Sequence, residues 1–329
     1  MPRLFDPLKV GALAFRNRIV MPPMATESST SKGEVTNSLV KHYTERAEDL
    51  GLLIVEHTYV APEGRVSPHQ LGVYSDELIP GLKSLVEAVH TYGMPIALQI
   101  THGGSAATRA ICGVQPLAPS AVSLPRGGEV PRALSHDEIG GIIRAFTEAA
   151  HRASEAGFDA VEVHGAHGFL LNQFLSPLTN KRADDYGGSL ENRLCLALEI
   201  ITGVREELGR AFPLLYRLGA DDLLPGGLTI EEGARAAKMI ADAGVNIIDV
   251  SGGLGGSRPD LKGPGYFVPQ AATVRKVAGV PVIGVGGITT AEEADTIIRS
   301  GKVDLVAVGR AILKDPKWAS EAIQSLRNQ

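Results

Sequence analysis

The chain has 329 residues, 44% hydrophobic and 21% charged, and carries a net charge of −5 from 32 basic and 37 acidic side chains. These values exclude wholesale disorder, and the mildly acidic balance supplies no electrostatic reason to bind nucleic acid or an anionic membrane. Two cysteines cannot build a disulfide framework, and no apolar run reaches the roughly 18 residues of a membrane-spanning helix, so a cytoplasmic location is expected.

The first 16 residues, with FDPLKVG and ALAFRN around Gly11, read as a short hairpin. Eight short apolar runs follow: Arg18–Met21, Leu52–Val60, Pro95–His102, Asp159–Ala166, Pro213–Ala220, Asn246–Gly253, Val280–Gly287 and Asp304–Arg310. Each is nearly continuously apolar before it turns polar or glycine-rich, as strands buried on both faces of a parallel sheet do. Helix-length amphipathic segments fill the gaps: Asn37–Leu50, Ser75–Tyr92, Ser135–Ala156, Ser189–Leu208, Thr229–Ala243, Val268–Ala278 and Thr290–Arg299. Three of them open on a capping box, in which a hydroxyl and a glutamate three residues on satisfy each other's backbone N–H: Ser135 with Glu138, Thr229 with Glu232, and Thr290 with Glu293. Glycines 93, 157, 209, 244 and 301 supply the stops. Strands and helices alternating in this order predict an α/β fold, a (β/α)8 TIM barrel with a short N-terminal hairpin closing its floor, as a single domain over 1–329. A doubly wound sheet is the alternative.

In such a barrel the C-terminal ends of the strands share one pocket. They carry Met24–Glu27, Glu56 and His57, Gln99 and His102, His164 and His167, Arg217, Ser251–Gly253, Gly286 and Gly287, and Gly309 and Arg310. No strand ends on lysine, which removes a Schiff-base mechanism. Glycines ahead of the last two helices, with Arg310, predict a phosphate site, because bare backbone N–H groups and a helix start both favour an anion. His164 and His167 are placed to donate to one substrate oxygen; with His57 and His102 they are also the material of a metal-dependent hydrolase or lyase.

The segments NRIVMPPM, LLIVEHTYV, ALQITHGG, VEVHGAHGFLLNQFLSPLTNKRADDYGGSLENR, YRLGA and VGR together resemble the Old Yellow Enzyme family of FMN-dependent ene-reductases, and the resemblance runs over essentially the whole chain. MPPMAT is most similar to the branch of 2,4-dienoyl-CoA reductase and trimethylamine dehydrogenase, but the cysteines of that branch's iron–sulfur segment are lacking. The resemblance implies FMN as cofactor and NADH or NADPH as reductant. With no strand–GxGxxG–helix unit for a dinucleotide, the nicotinamide would share the flavin face with the substrate. It further implies that Pro22, Pro23, Met24, Ala25, His57 and Gly253 line the flavin, that Gln99 bonds its pyrimidine side, and that Arg217 faces N1 and the C2 oxygen. Gly287, Gly309 and Arg310 would hold the phosphate. His164 and His167 would bind the carbonyl oxygen of a small α,β-unsaturated compound.

Three positions depart from the family pattern. Phe169 stands where a proton-donating tyrosine is usual, Ala25 where a redox-tuning cysteine or threonine is usual, and Glu27 where one branch has a substrate-holding tyrosine. A carboxylate in a partly dry pocket would have a raised pKa, so Glu27 is a candidate acid or base. Tyr59 and Tyr266 are further candidate donors, and Arg182, Asp184, Glu191 and Arg193 are expected to make ion pairs that hold a long loop. The leading reading is NAD(P)H-dependent reduction of an activated C=C bond. The alternatives are a flavin-dependent dehydrogenase, demethylase or isomerase, the metal enzyme above, and a flavin-binding protein without turnover; homo-oligomerisation is left open.

Overall fold

The computed structural model describes residues 1–328. The N-terminal hairpin forms as β1 (Leu8–Val10) and β2 (Leu13–Phe15), antiparallel and turning at Gly11 with φ +57°. Then follow β3 (Ile19–Met21), α1 (Asn37–Thr44), β4 (Leu52–Tyr59), α2 (Ile79–His90) and β5 (Ile96–Thr101). A long connection carries α3 (Arg109–Cys112) and a two-residue parallel pair, β6 (Leu117–Ala118) with β7 (Arg132–Ala133). The regular alternation resumes with α4 (His136–Glu155), β8 (Ala160–Gly165), α5 (Leu170–Leu175), α6 (Leu190–Leu208) and β9 (Leu214–Gly219). It continues through α7 (Ile230–Asp242), β10 (Ile247–Ser251), α8 (Val268–Ala278) and β11 (Val282–Val285). The last elements are α9 (Ala291–Arg299), β12 (Leu305–Ala307), α10 (Arg310–Lys314) and α11 (Trp318–Arg327).

Strands β3, β4, β5, β8, β9, β10, β11 and β12 close into a parallel barrel, sealed where Val306 of β12 pairs with Ile19 of β3. This is the predicted (β/α)8 fold. β3 is only three residues long because Pro22 and Pro23 have no N–H to continue the ladder. The hairpin plugs the floor: Leu13 and Phe15 are buried against Val20, Leu52 and Ile54 in the barrel's own apolar cluster. All three capping boxes form as read, and α6 and α8 have the expected ends.

Three local readings change. The helix expected over 37–50 stops at Thr44, and the chain then turns through Asp49 at φ +57°. The LLNQFL segment, which has no amphipathic period, is the buried helix α5. Its polar side chains serve the neighbouring loops instead of water: Gln173 Nε2 donates to the carbonyls of Gly103 and Gly168, and Asn172 Oδ1 accepts from Gly168 N. Finally, Arg182 pairs with Asp184 inside the long loop as expected, but Arg193 pairs with Glu232 and Glu191 with Arg235, tying α6 to α7.

Candidate active site

A cavity of about 430 Å³ opens at the C-terminal ends of the barrel strands, within the size range of small-molecule and cofactor sites. Its wall brings together Pro22, Pro23, Met24, Ala25, His57, Gln99, His164, His167, Arg217, Gly287, Gly309 and Arg310 from the sequence-derived set. Two of that set are elsewhere. Gly253 lies behind the wall, where a Cβ would meet Asp222 Oδ1 at 2.3 Å, so its role is to let two loops touch. Glu27 is exposed on the loop after β3, in the left-handed region at φ +51°, and does not line the cavity. The buried carboxylate nearby is Glu56, which accepts a hydrogen bond from Thr26 N. Burial pushes Glu56 up to about 7, with a smaller upward contribution from the negative charge of Glu27.

The floor of the cavity is a polar layer inside the barrel. Gln99 Nε2 donates to Glu162 Oε1 at 2.8 Å, which leaves the Gln99 amide oxygen without a protein partner among the described residues. Arg217 Nε lies 3.2 Å from Asp249 Oδ2, close enough for ionic attraction, but the angles do not make an N–H···O bond. Neither Arg217 Nε nor either Asp249 oxygen has a hydrogen-bond partner. Burial raises both acids. Glu162 is pushed up to about 8, first by desolvation and then by the negative Asp249, against the opposing pull of Arg217.

Above this layer stand the histidines. His164 and His167 face each other edge to face with ring centroids 5.2 Å apart, and Phe169 packs on His164 at 4.7 Å and on His57 at 5.3 Å. His167 sits at φ +59°, a strained conformation held by its own N–H donating to Gly252 O. Its Nε2 contacts Ser251 Oγ at 2.7 Å, which fixes the ring. The His164 side chain makes no hydrogen bond, and its Nδ1 is buried. Desolvation first, then the charges of neighbouring groups, hold both imidazoles well below the usual histidine range, and His57 falls to about 4 for the same reasons. At neutral pH each ring is therefore uncharged, with one N–H to donate. His57 reaches the wall because β4 carries a register shift between Val55 and Thr58. His102 does not join the others: it packs against Gly64 and its Nδ1 accepts from Gly104 N. Among the described residues no cluster of three or more His, Cys, Asp or Glu is placed to hold a metal ion.

The far end of the cavity is the glycine turn after β11. Gly286 and Gly287 have φ of +121° and +62°, and a Cβ on Gly286 would strike the Tyr266 ring at 2.6 Å. The expected help from the α9 N-terminus is reduced, because the Glu293 carboxylate already accepts from Thr289 N and Thr290 N. The anion-binding capacity there rests on the bare backbone of Gly287 and Gly309 and on Arg310, which has no acidic partner among the described residues. Tyr266 lines this end with its hydroxyl bonded to Ser257 O, whereas Tyr59 is buried elsewhere, stacked on Tyr74. Sequence reasoning missed Ser251 as the anchor of His167, the Gln99–Glu162 pair, and the arginines 126 and 258 on the cavity wall. Only Glu162 left a trace, as a charge in the apolar run AVEVHG.

Known proteins are similar to this chain along nearly its whole length. The family described as NADH:flavin oxidoreductase / NADH oxidase matches residues 3–329. An NADH oxidase of Thermoanaerobacter brockii is 44% identical over the whole chain, which spans 52% of that relative's length. An NADPH dehydrogenase of a Geobacillus strain is 41% identical over 98% of the chain and 94% of its own. Among solved structures, an Old Yellow Enzyme homologue from Zymomonas mobilis superimposes with a TM-score of 0.88 at 30% identity, covering 98% of this chain and 93% of that one.

Proposed function

The chain belongs to the NADH:flavin oxidoreductase / NADH oxidase family, the Old Yellow Enzyme group of FMN-dependent oxidoreductases, and from that premise we propose that it takes electrons from NADH or NADPH and reduces an activated C=C bond. The carrying observation is His164, a neutral imidazole on the cavity wall with no hydrogen-bond partner, beside a second neutral imidazole fixed by Ser251. Buried polar atoms left open in this way call for a ligand.

The residues present fit FMN. The Gln99 amide oxygen, and the Arg217 guanidinium, which faces Asp249 but makes no hydrogen bond, suit a ring with donors and acceptors along one edge. The glycine turn and Arg310 at the far end suit a phosphate. FMN, when bound, supplies a hydride at its N5. Arg217 would hold the pyrimidine side and offset negative charge there, the usual way a protein tunes this cofactor. His164 and His167 donate to the carbonyl oxygen of the acceptor and withdraw electrons from its β-carbon. Because the rings are uncharged, they do this as preorganised donors rather than as acids. Phe169 has no proton to give, and the Tyr266 hydroxyl donates to Ser257 O, so the proton for the α-carbon comes from water in the open cavity.

The test is an anaerobic two-step mix watched at the flavin band, NADH or NADPH first and cyclohexenone after bleaching. Bleaching followed by recovery is expected. Bleaching without recovery would overturn the C=C reading, and absence of a flavin band after added FMN would overturn the site.

A further inference from the structure

The cavity is lined by four arginines, Arg126, Arg217, Arg258 and Arg310, and by no aspartate or glutamate, in a chain whose net charge is −5. Two of the four have evident work. Arg217 faces Asp249 on the floor, and Arg310 stands with Gly309 at the phosphate end. Arg258 follows Ser257, whose carbonyl receives the Tyr266 hydroxyl at that same end. Arg126 is the one at the opposite, reacting end, beside His167.

Its position is built rather than accidental. Gly127 N donates to Leu124 O at 2.8 Å, closing a turn in which Pro125 and Arg126 are the central residues. Leu124 is buried and sits over the His167–Gly168 corner, where a Cβ on Gly168 would touch Leu124 Cδ2 at 3.5 Å. The turn is thus clamped beside the histidine pair, and the charge of Arg126 is felt at His167. The acid nearest in sequence, Glu129, is occupied by Arg109. Arg126 itself has no acidic partner among the described residues. An unpaired guanidinium held at the mouth of a cavity without carboxylates raises the local concentration of anions and favours a planar, two-oxygen group.

We propose that Arg126 is a specificity-determining residue that receives a carboxylate carried by the compound reduced at His164 and His167. The substrate class is therefore an α,β-unsaturated compound with an anionic group, rather than a neutral enone. This rests on the reaction proposed above.

The experiment uses the FMN-loaded protein and a matched pair of acceptors, 3-oxocyclohex-1-ene-1-carboxylate and its neutral carboxamide. Binding to the oxidised protein is measured by calorimetry, and reoxidation of the reduced protein by rapid mixing. The carboxylate is expected to bind about tenfold more tightly than the carboxamide, with the preference shrinking as salt rises. In Arg126→Gln the two should converge, and Arg126→Lys should restore part of the difference; an unchanged flavin content shows that the variants fold. Equal binding of the pair by the wild type, binding of neither, or a preference that survives in Arg126→Gln would overturn the proposal. So would a loss confined to NADPH relative to NADH, since the guanidinium would then serve the reductant's phosphate. Arg126-dependent binding of the carboxylate without reoxidation would leave the anion site standing and remove the C=C reaction instead. Reoxidation by both compounds at equal affinity would do the reverse.

Discussion

Glu162→Gln is the substitution for which the structure gives a worked sign. Glu162 is fully buried in β8, accepts from Gln99, and is pushed up to about 8 by desolvation and by Asp249. In the unfolded chain the same carboxyl titrates near ~4.3. Between those values the folded protein keeps a proton that the unfolded chain has lost, so this group makes stability fall as pH rises. The loss is about 1.4 kcal/mol per pH unit, levelling off above pH ~8. From pH 5.5 to 7.5 that amounts to about 3 kcal/mol. The substituted amide does not titrate, yet its oxygen still accepts from Gln99 Nε2. The variant should therefore gain about 3 kcal/mol relative to wild type over this interval, whatever its stability at pH 5.5. Urea unfolding followed by far-UV circular dichroism, at fixed FMN concentration and four pH values, measures it. Parallel stability profiles for the two proteins would refute the reasoning, because they would mean that Glu162 is already ionised in the folded state.

Three further outcomes are expected. His164→Ala removes one of the two donors on the acceptor oxygen and should slow reoxidation by cyclohexenone about 10²–10³-fold, with the flavin retained, as read by rapid mixing; a change of less than about threefold would show that the pair does not polarise the acceptor. Phe169→Tyr places a hydroxyl on the ring that packs 4.7 Å from His164, and should quicken reoxidation and lower its solvent isotope effect if protonation by water is slow. Glu27→Gln, on the exposed loop, should leave turnover within about twofold, as surface substitutions do; a much larger loss would bring Glu27 back to the cavity as an acid or base.

Most of the architecture was legible because it is written in local chemistry. Ser135, Thr229 and Thr290 each cap a helix with the glutamate three residues on, and those short-range bonds form regardless of what the helix packs against. The same locality explains the error over 37–50, where the apolar spacing continues past Thr44 but the chain turns at Asp49. α5 was invisible for the opposite reason. A helix buried on all sides has no amphipathic stripe, and its Asn172 and Gln173 satisfy loops that come from other parts of the chain.

At the site, strand periodicity could say which residues lie at the C-terminal ends but not which way they turn. The register shift in β4 brings His57 to the cavity, whereas His102, at the end of an unshifted strand, packs beneath Gly64. Glu27 and Ala25 are two residues apart at the end of one strand, yet only Ala25 lines the cavity, since the backbone reverses at Glu27. Such outcomes are decided by loop closure over distances that single-sequence patterns do not span.

The polar layer under the cavity has a consequence for the cofactor. Arg217 faces Asp249, and while Glu162 holds its proton it adds no charge to the floor. When pH rises through about 8, Glu162 ionises and the floor gains one negative charge. A unit charge ~10 Å away in a medium of effective dielectric near 20 acts with roughly 1–2 kcal/mol. That penalty falls on the more negative, reduced form of the flavin, and about 1.4 kcal/mol corresponds to ~30 mV for a two-electron couple. The midpoint potential of the wild type should therefore drop by about 30 mV more than that of Glu162→Gln between pH 7 and 9, in spectroelectrochemical titrations of both proteins. Identical slopes would show that the charge on Glu162 is screened from the cofactor, and that the Arg217–Asp249 pair sets the electrostatics of the floor.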